Sequence, residues 1–237
     1  MTRSLNPRRW LSMCLLFLLS PAYADEARVL KDQIQPAAHL RFCVTCHGVD
    51  GRGNEAVRAP RLAGMARWYL ERQLLGFQAG YRGFHESDTS GQEMRPMAEA
   101  LSTEDIQLVL DWIATWPAAE PTSTLAPALA STLAPTSTLT PTLTSGLTAS
   151  GDHVRGQQLY QGCSACHGNQ AQGIQSAGGP ALAGQSGWYL AAQLQKFKSG
   201  LRGTQPGDQF GQQMRTMTRL LVDDQGINDV VSYIETL

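Results

Sequence analysis

FCVTCHG (residues 42–48) returns as GCSACHG (162–168), so two copies of Cys-x-x-Cys-His hold four of the five cysteines in a chain of 237 residues. On a helical turn, residues three apart share one face, with about 5–6 Å between Cβ atoms. That spacing suits two thiols bonding to two neighbouring vinyl groups on one edge of a haem. The next residue lies about a quarter-turn further round and aims its imidazole at the iron. The pattern reads as c-type haem attachment: Cys43, Cys46, Cys163 and Cys166 as anchors, His47 and His167 as axial iron ligands.

Three other readings of the thiols are weaker. A thioredoxin-like site needs a strand-helix-strand setting, and alternating strand patterns are hard to find here. A disulfide suits exported thiols but does not require a histidine after each pair. A four-cysteine zinc site would have to join Cys43 and Cys46 to Cys163 and Cys166, across a loop far longer than structural zinc spacings.

The motif is part of a larger repeat. A shift of 120 overlays Cys43–Leu101 on the second half without a gap: Pro60, Leu62, Ala63 and Gly64 fall on Pro180, Leu182, Ala183 and Gly184. WYL (68–70) meets WYL (188–190), Arg82-Gly83 meets Arg202-Gly203, and GQEMRPM (91–97) meets GQQMRTM (211–217). One unit is duplicated. Each reads as helices joined by Gly-rich loops. Ser102-Thr-Glu-Asp105 is a capping box followed by Ile106, Val109, Leu110 and Ile113 at helical spacing. Asp223 or Asp224 opens the counterpart stripe of Ile227, Val230, Val231 and Ile234, and a middle helix carries Leu70, Leu74 and Phe77, matched by Leu190, Leu194 and Phe197.

Composition breaks at 117–150, a Pro/Thr/Ser/Ala/Leu-rich run with five prolines. It cannot bury a steady apolar face and reads as a linker; as a flexible coil it would span about 30 Å. At the other end, Arg3, Arg8 and Arg9, an apolar run over Leu11–Leu19 and AYA ending at Ala24 form an export signal. The apolar run is too short to span a bilayer; a retained anchor is the alternative. Cys14 leaves with the leader. The domain plan is therefore signal peptide 1–24, first domain 25–116, linker 117–150 and second domain 151–237. Cleavage takes the formal charge from −1 to −4. No basic stripe is present, which argues against nucleic acid as a partner, and the arginines of 52–82 read as a solvated face.

The sixth iron position separates electron carriage from chemistry on a bound substrate. In both units a loop rich in Gly, Gln and Met precedes the last helix, and a thioether from it would complete His/Met ligation. Any methionine is ordinarily core filler, but both pairs recur at identical offsets from the haem motif. The local sequence does not separate Met94 from Met97, or Met214 from Met217.

On CVTCHG, PRLAGMARWYLERQL, FQAGYRG, EMRPMAEALSTEDI and their second copies, the chain resembles the dihaem cytochromes c4, two class-I cytochrome c domains in one exported chain. The resemblance covers nearly all of the mature chain except the linker. It implies an all-α fold of two tandem class-I domains and two covalent haem c groups. It also implies axial methionines eight residues before the opening of the last helix: Met94, counted from Ser102, and Met214, counted from Val222. Pro60 and Pro180 stand where such cytochromes offer a backbone carbonyl to the ligand imidazole. Trp68, Tyr69 and Arg82, with Trp188, Tyr189 and Arg202, are candidates for packing on haem or meeting its propionates. An aromatic on a helix is more often core and an arginine beside glycine often exposed, so none is taken as a site, and His39, His85 and His153 read as ordinary polar residues. The linker is longer than the family's usual connection, which puts the fixed packing of the two domains in question.

The function implied is a periplasmic electron carrier, not an enzyme. Its donor would be a quinol-oxidising complex or dehydrogenase, its acceptor a terminal oxidase or reductase, and its contact with the membrane peripheral. The alternatives are the cytochrome subunit of a dehydrogenase or flavocytochrome complex and, against the Met-bearing segments, a dihaem peroxidase.

Overall fold

The computed structural model describes residues 41–118 and 151–237. The leader 1–24 with Cys14, the start of the first domain with His39, and linker residues 119–150 lie outside the described residues. The first unit contains α1 (Cys43–His47), α2 (Arg67–Gln78), α3 (Thr89–Glu99) and α4 (Thr103–Ala114). The second contains α5 (His153–His167), α6 (Gly187–Ser199), α7 (Gln209–Met217) and α8 (Asp224–Ile234). Among the described residues, extended pairing is limited to two isolated bridges, Asn54–Ala59 and Ile174–Gly179. No helix there is long and apolar enough to cross a membrane.

The last helix of each unit forms as its sequence dictates. The Ser102 hydroxyl accepts the Asp105 N–H, and the Asp105 carboxylate accepts the Ser102 N–H, both at 3.1 Å. Two of the donors that a helix start leaves unpaired are thereby satisfied. The Asp223 carboxylate plays the same part for α8, accepting the Gly226 N–H at 2.8 Å. Behind the caps, Ile106, Val109, Leu110 and Ile113 are buried against Leu70, Leu74 and Phe77 of α2. In the second unit Ile227, Val230, Val231 and Ile234 are buried against Tyr160 of α5 and Leu190 of α6. Each such side chain contributes about 1.5–3 kcal/mol by leaving water.

The helix that carries the second Cys-x-x-Cys-His is held by α8. Asp229 is 0% exposed, and its carboxylate accepts the Asp152 N–H (2.8 Å) and the Gln225 amide (2.8 Å) and pairs with Arg155 (2.9 Å). Asp152 in turn caps α5 through the Val154 N–H. The two helices cross so closely at Gly156 that a Cβ there would collide with the Asp229 carbonyl.

The two units pack together, which answers the question raised by the long linker. The Gln185 side chain accepts the Arg61 N–H (3.3 Å) and donates to the Arg61 carbonyl (3.0 Å) and the Met65 sulfur (3.4 Å). Lys196 of α6 pairs with Asp88 and donates to Ser90 in the first unit.

Gly156→Ala tests the helix crossing. Alanine is the better helix former by about 1 kcal/mol, yet overpacking costs about 1–3 kcal/mol. Urea unfolding of the haem-loaded protein followed by far-ultraviolet circular dichroism is expected to show a lower midpoint.

Candidate haem sites

Each Cys-x-x-Cys-His turn is followed by a loop that doubles back to hold its histidine. The Gly53 N–H donates to the His47 carbonyl (2.9 Å), Asn54 and Ala59 pair, and the Leu62 N–H donates to the Gly51 carbonyl (2.8 Å). That path brings the Pro60 carbonyl to 2.8 Å from His47 Nδ1, and the matching loop brings the Pro180 carbonyl to 2.8 Å from His167 Nδ1. A carbonyl can only accept, so Nδ1 carries the proton and Nε2 is left as the ring's basic nitrogen. Such a bond fixes the orientation and tautomer of a ligating imidazole. Gly53 (φ 87°) and Gly173 (φ 83°) lie against the Pro60–Arg61 and Pro180–Ala181 peptides; a Cβ on Gly53 would meet the Arg61 nitrogen at 2.7 Å.

Burial pushes the pKa of both histidines below its ordinary value, while the bond to the proline carbonyl works the other way. Both rings are therefore neutral bases at neutral pH, the form a metal takes. Burial likewise raises the Cys43 thiol and, with help from Cys166, pushes Cys163 up to about 11. Neither cysteine pair is bridged as a disulfide. Among the described residues no three His, Cys, Asp or Glu side chains converge as a metal site, so the two cysteine pairs do not form a shared zinc centre.

The methionine segments depart from the sequence expectation. They are helical, α3 and α7, not loops. Asp88 and Asp208 cap them, accepting the N–H of Gly91 (3.1 Å) and Gly211 (2.9 Å). Gly and Pro96 mask this helix in the sequence, yet the glycine leaves room for the capping carboxylate. The helices set Met94 and Met97 on the wall of one cavity with Cys43, Cys46 and His47. Met214 and Met217 line a second with Cys163, Cys166 and His167. The cavities measure about 350 and 510 Å³. Met97 is 45% exposed, whereas Met94 packs half-buried against the first core. His85 and His153 are exposed and lie on neither wall.

The unit boundary is part of both sites. Tyr189, Gln193 and Lys196 line the first cavity, and Trp68, Arg72 and Gln73 line the second. Between them stand Arg82 and Arg202. Arg202, read from sequence as an exposed side chain, is only 6% exposed. Arg82 donates to Gln73 (3.0 Å) and Tyr189 (3.4 Å), and Arg202 donates to Gln193 and Gln73. Each guanidinium lies over a phenylalanine of its own unit, Phe77 at 4.2 Å and Phe197 at 4.3 Å. The Nε of each is buried with no hydrogen-bond partner. Burial, reinforced by the neighbouring Arg82 charge, pulls the Arg202 guanidinium down to about 10. Two buried cations with unused donors call for anions. Haem supplies two carboxylates, so the residues present fit it on chemistry as well as on shape.

The cytochrome c family model matches residues 36–117 and 153–237. A cytochrome c4 of Stutzerimonas stutzeri is 31% identical, over 93% of this chain and 96% of its own. This chain belongs to the dihaem, c4-like cytochromes c. The thiosulfate dehydrogenase electron acceptor of S. stutzeri strain A1501 is 34% identical over 86% of this chain and 84% of its own. Among solved structures, reduced recombinant cytochrome c4 from Pseudomonas stutzeri matches with a TM-score of 0.56 and 28% identity, over 83% of this chain and 93% of that one. Thiosulfate dehydrogenase (TsdBA) from Marichromatium purpuratum matches with a TM-score of 0.56 and 30% identity, over 82% of this chain but 36% of that one. The cytochrome thus consists of two tandem class-I domains with two covalent haem c groups. It is an electron carrier rather than an enzyme, and its partners are redox proteins.

The buried arginines generate a testable consequence. Arg202→Gln removes a cation that a haem carboxylate would face, raising that carboxylate's pKa towards neutrality. The midpoint potential of one haem is then expected to fall as pH rises from 5 to 8 more steeply than in wild type, as read by spectroelectrochemical titration.

Proposed function

We propose that the cytochrome is an exported, periplasmic relay that takes electrons from a dehydrogenase and hands them to a terminal oxidase or reductase. Residues 1–24 direct export; 25–116 and 151–237 are the domains, and 117–150 joins them. Cys43 and Cys46 anchor one haem, and Cys163 and Cys166 the other. His47 and Met94 ligate the first iron, and His167 and Met214 the second. Bound in this way, the haem supplies a one-electron couple. The chain's part is to hold the imidazole through Pro60 or Pro180, to close the opposite side with a thioether, and to keep water from both cavities.

The observation that carries this reading is the pair of cavities, each lined by Cys-x-x-Cys-His and a methionine helix, that meet at one buried wall. For the donor, thiosulfate dehydrogenase is supported by the printed role of a relative at 34% identity and of a second, from Thiomonas intermedia, at 32% over 73% of its length. A free carrier working with a quinol-oxidising complex is the second reading, favoured by the cytochromes c4. Two filled axial positions on each iron leave a peroxidase without a site for peroxide.

Haem quantification and visible spectra of wild type, Met94→Ala and Met214→Ala test the ligands. Two haems per chain are expected, with one low-spin site lost in each variant; no loss in either would reject the assignment. Stopped-flow mixing with a thiosulfate dehydrogenase and thiosulfate is expected to reduce both haems within seconds. Reduction only by a quinol-oxidising complex would move the donor to the second reading.

A further inference from the structure

Resting on the His/Met ligation proposed above, we propose that each axial methionine is positioned by the opposite domain: Lys196 of α6 holds the helix of Met94, and Arg72 of α2 holds the helix of Met214. A thioether is a soft, neutral ligand and a weak one for ferric iron. Its hold on the metal therefore depends on how firmly its helix is placed. Met94 and Met214 each follow their helix cap, Asp88 or Asp208, by six residues. Whatever fixes the first turn of α3 or α7 fixes where the methionine sits on the cavity wall.

On α3 the grip is ionic. Lys196 Nζ lies 2.5 Å from Asp88 Oδ1 and donates to Ser90 Oγ at 2.7 Å. Asp88 is 2% exposed, and the same carboxylate oxygen accepts the Gly91 N–H at 3.1 Å. One buried oxygen thus joins the cap of α3 to a cation of the other domain. Removing one partner of such a pair leaves the other charge uncompensated.

On α7 the grip is aromatic. Phe210 stands where the first unit has Ser90. The Arg72 guanidinium lies 4.2 Å from the centre of its ring, close enough for a cation–π contact, and Nη2 donates to the Gly178 carbonyl at 2.7 Å. Phe210 itself packs on Gly178 so closely that a Cβ there would meet the ring at 2.1 Å. Arg72 therefore pins the start of α7 to the loop that carries Pro180, and the charge of the cap Asp208 draws it the same way.

At the first turn, contact from within each domain is matched: Gly83 lies against the Gly91 carbonyl and Gly203 against the Gly211 carbonyl. What differs is the partner from across the joint. Under the shift of 120, Lys196 becomes Gly76, Arg72 becomes Ala192 and Phe210 becomes Ser90. Two cations from successive turns of equivalent helices thus reach equivalent places, 90 and 210, by different chemistry. The far end of α3 is tied to its own domain, where Gln78 donates to the Ala98 and Leu101 carbonyls at 2.9 and 2.8 Å. Loss of Lys196 therefore frees the first turn without unseating the helix. Each domain is an incomplete carrier without the other.

The test follows displacement of methionine by added imidazole in the ferric, haem-loaded full chain. Each haem is identified by nuclear magnetic resonance from the methionine methyl signals lost in Met94→Ala and Met214→Ala. Lys196→Gln is expected to speed displacement at the first haem roughly tenfold, the effect of losing one charge-assisted contact, and to leave the second unchanged; Lys196→Arg keeps the wild-type rate. Arg72→Ala is expected to act in the opposite sense, on the second haem and not the first, with Arg72→Lys close to wild type. Ser90→Ala keeps the lysine but removes part of what it grips, and is expected to speed the first haem by a smaller factor. It also decides the matter if Lys196→Gln yields no folded protein. No acceleration, acceleration at the haem of the variant's own domain, or equal acceleration at both haems, as a general loosening of the joint gives, would overturn the proposal. An unchanged rate in Ser90→Ala would do the same, because the lysine would then act on the haem directly. Absence of ligated-methionine signals in wild type would instead strike at the ligand assignment on which the proposal rests.

Discussion

Two guanidinium groups buried side by side set the terms for the rest of this molecule. Arg82 and Arg202 meet where the domains join, each spread over a phenylalanine face and tied to glutamine oxygens. Neutral partners orient them but do not cancel their repulsion, which the low dielectric of the joint magnifies. Asp88 and Asp208 supply part of the compensating charge, and the carboxylates of bound haems would supply more, so that cofactor binding and domain docking would support one another. Short-range packing within each domain does not create that support; it arises only where the α2 and α6 faces meet.

Much of the fold was legible in the chain because its signals are local. The stripe Ile106, Val109, Leu110, Ile113 and the capping box at Ser102 each need only a few consecutive residues to be read, and both are present. The Cys-x-x-Cys-His turns and the proline carbonyls were legible for the same reason: every partner lies within one loop. What escaped were a local cap hidden by residues that ordinarily break helices, and a side chain whose burial is set by a distant partner. Gly91 and Pro96 look like helix breakers until Asp88 is seen to cap the helix and the glycine to make room for it. Arg202 beside Gly203 looks exposed until the opposite domain covers it. The unmatched polar residues of the repeat offered one usable signal: positions 71–76 differ from 191–196 in charge, and that face turns out to be the joint.

Duplication supplies two nearly equivalent surfaces, and two such surfaces would tend to meet symmetrically. The joint is held partly by matched residues, Arg82 on Tyr189 and Arg202 on Gln73, and partly by residues where the copies differ. Lys196 faces Asp88, and Arg72 faces Gly178, with Gly76 and Ala192 at the matching positions. The internal cores keep the shared pattern of Leu70, Leu74 and Phe77 with Leu190, Leu194 and Phe197.

Gln185 shows what kind of recognition holds the halves in register. Its primary amide reads both peptide groups of residue 61, one as donor and one as acceptor, in the manner of a rung added to a ladder. The arginine side chain of that residue turns away to the Ala63 carbonyl. A grip on main chain alone is indifferent to what side chain residue 61 bears. Evolution is therefore free to vary position 61 and the outward charge it presents to other proteins without loosening the joint, while position 185 is bound to an amide of that one length.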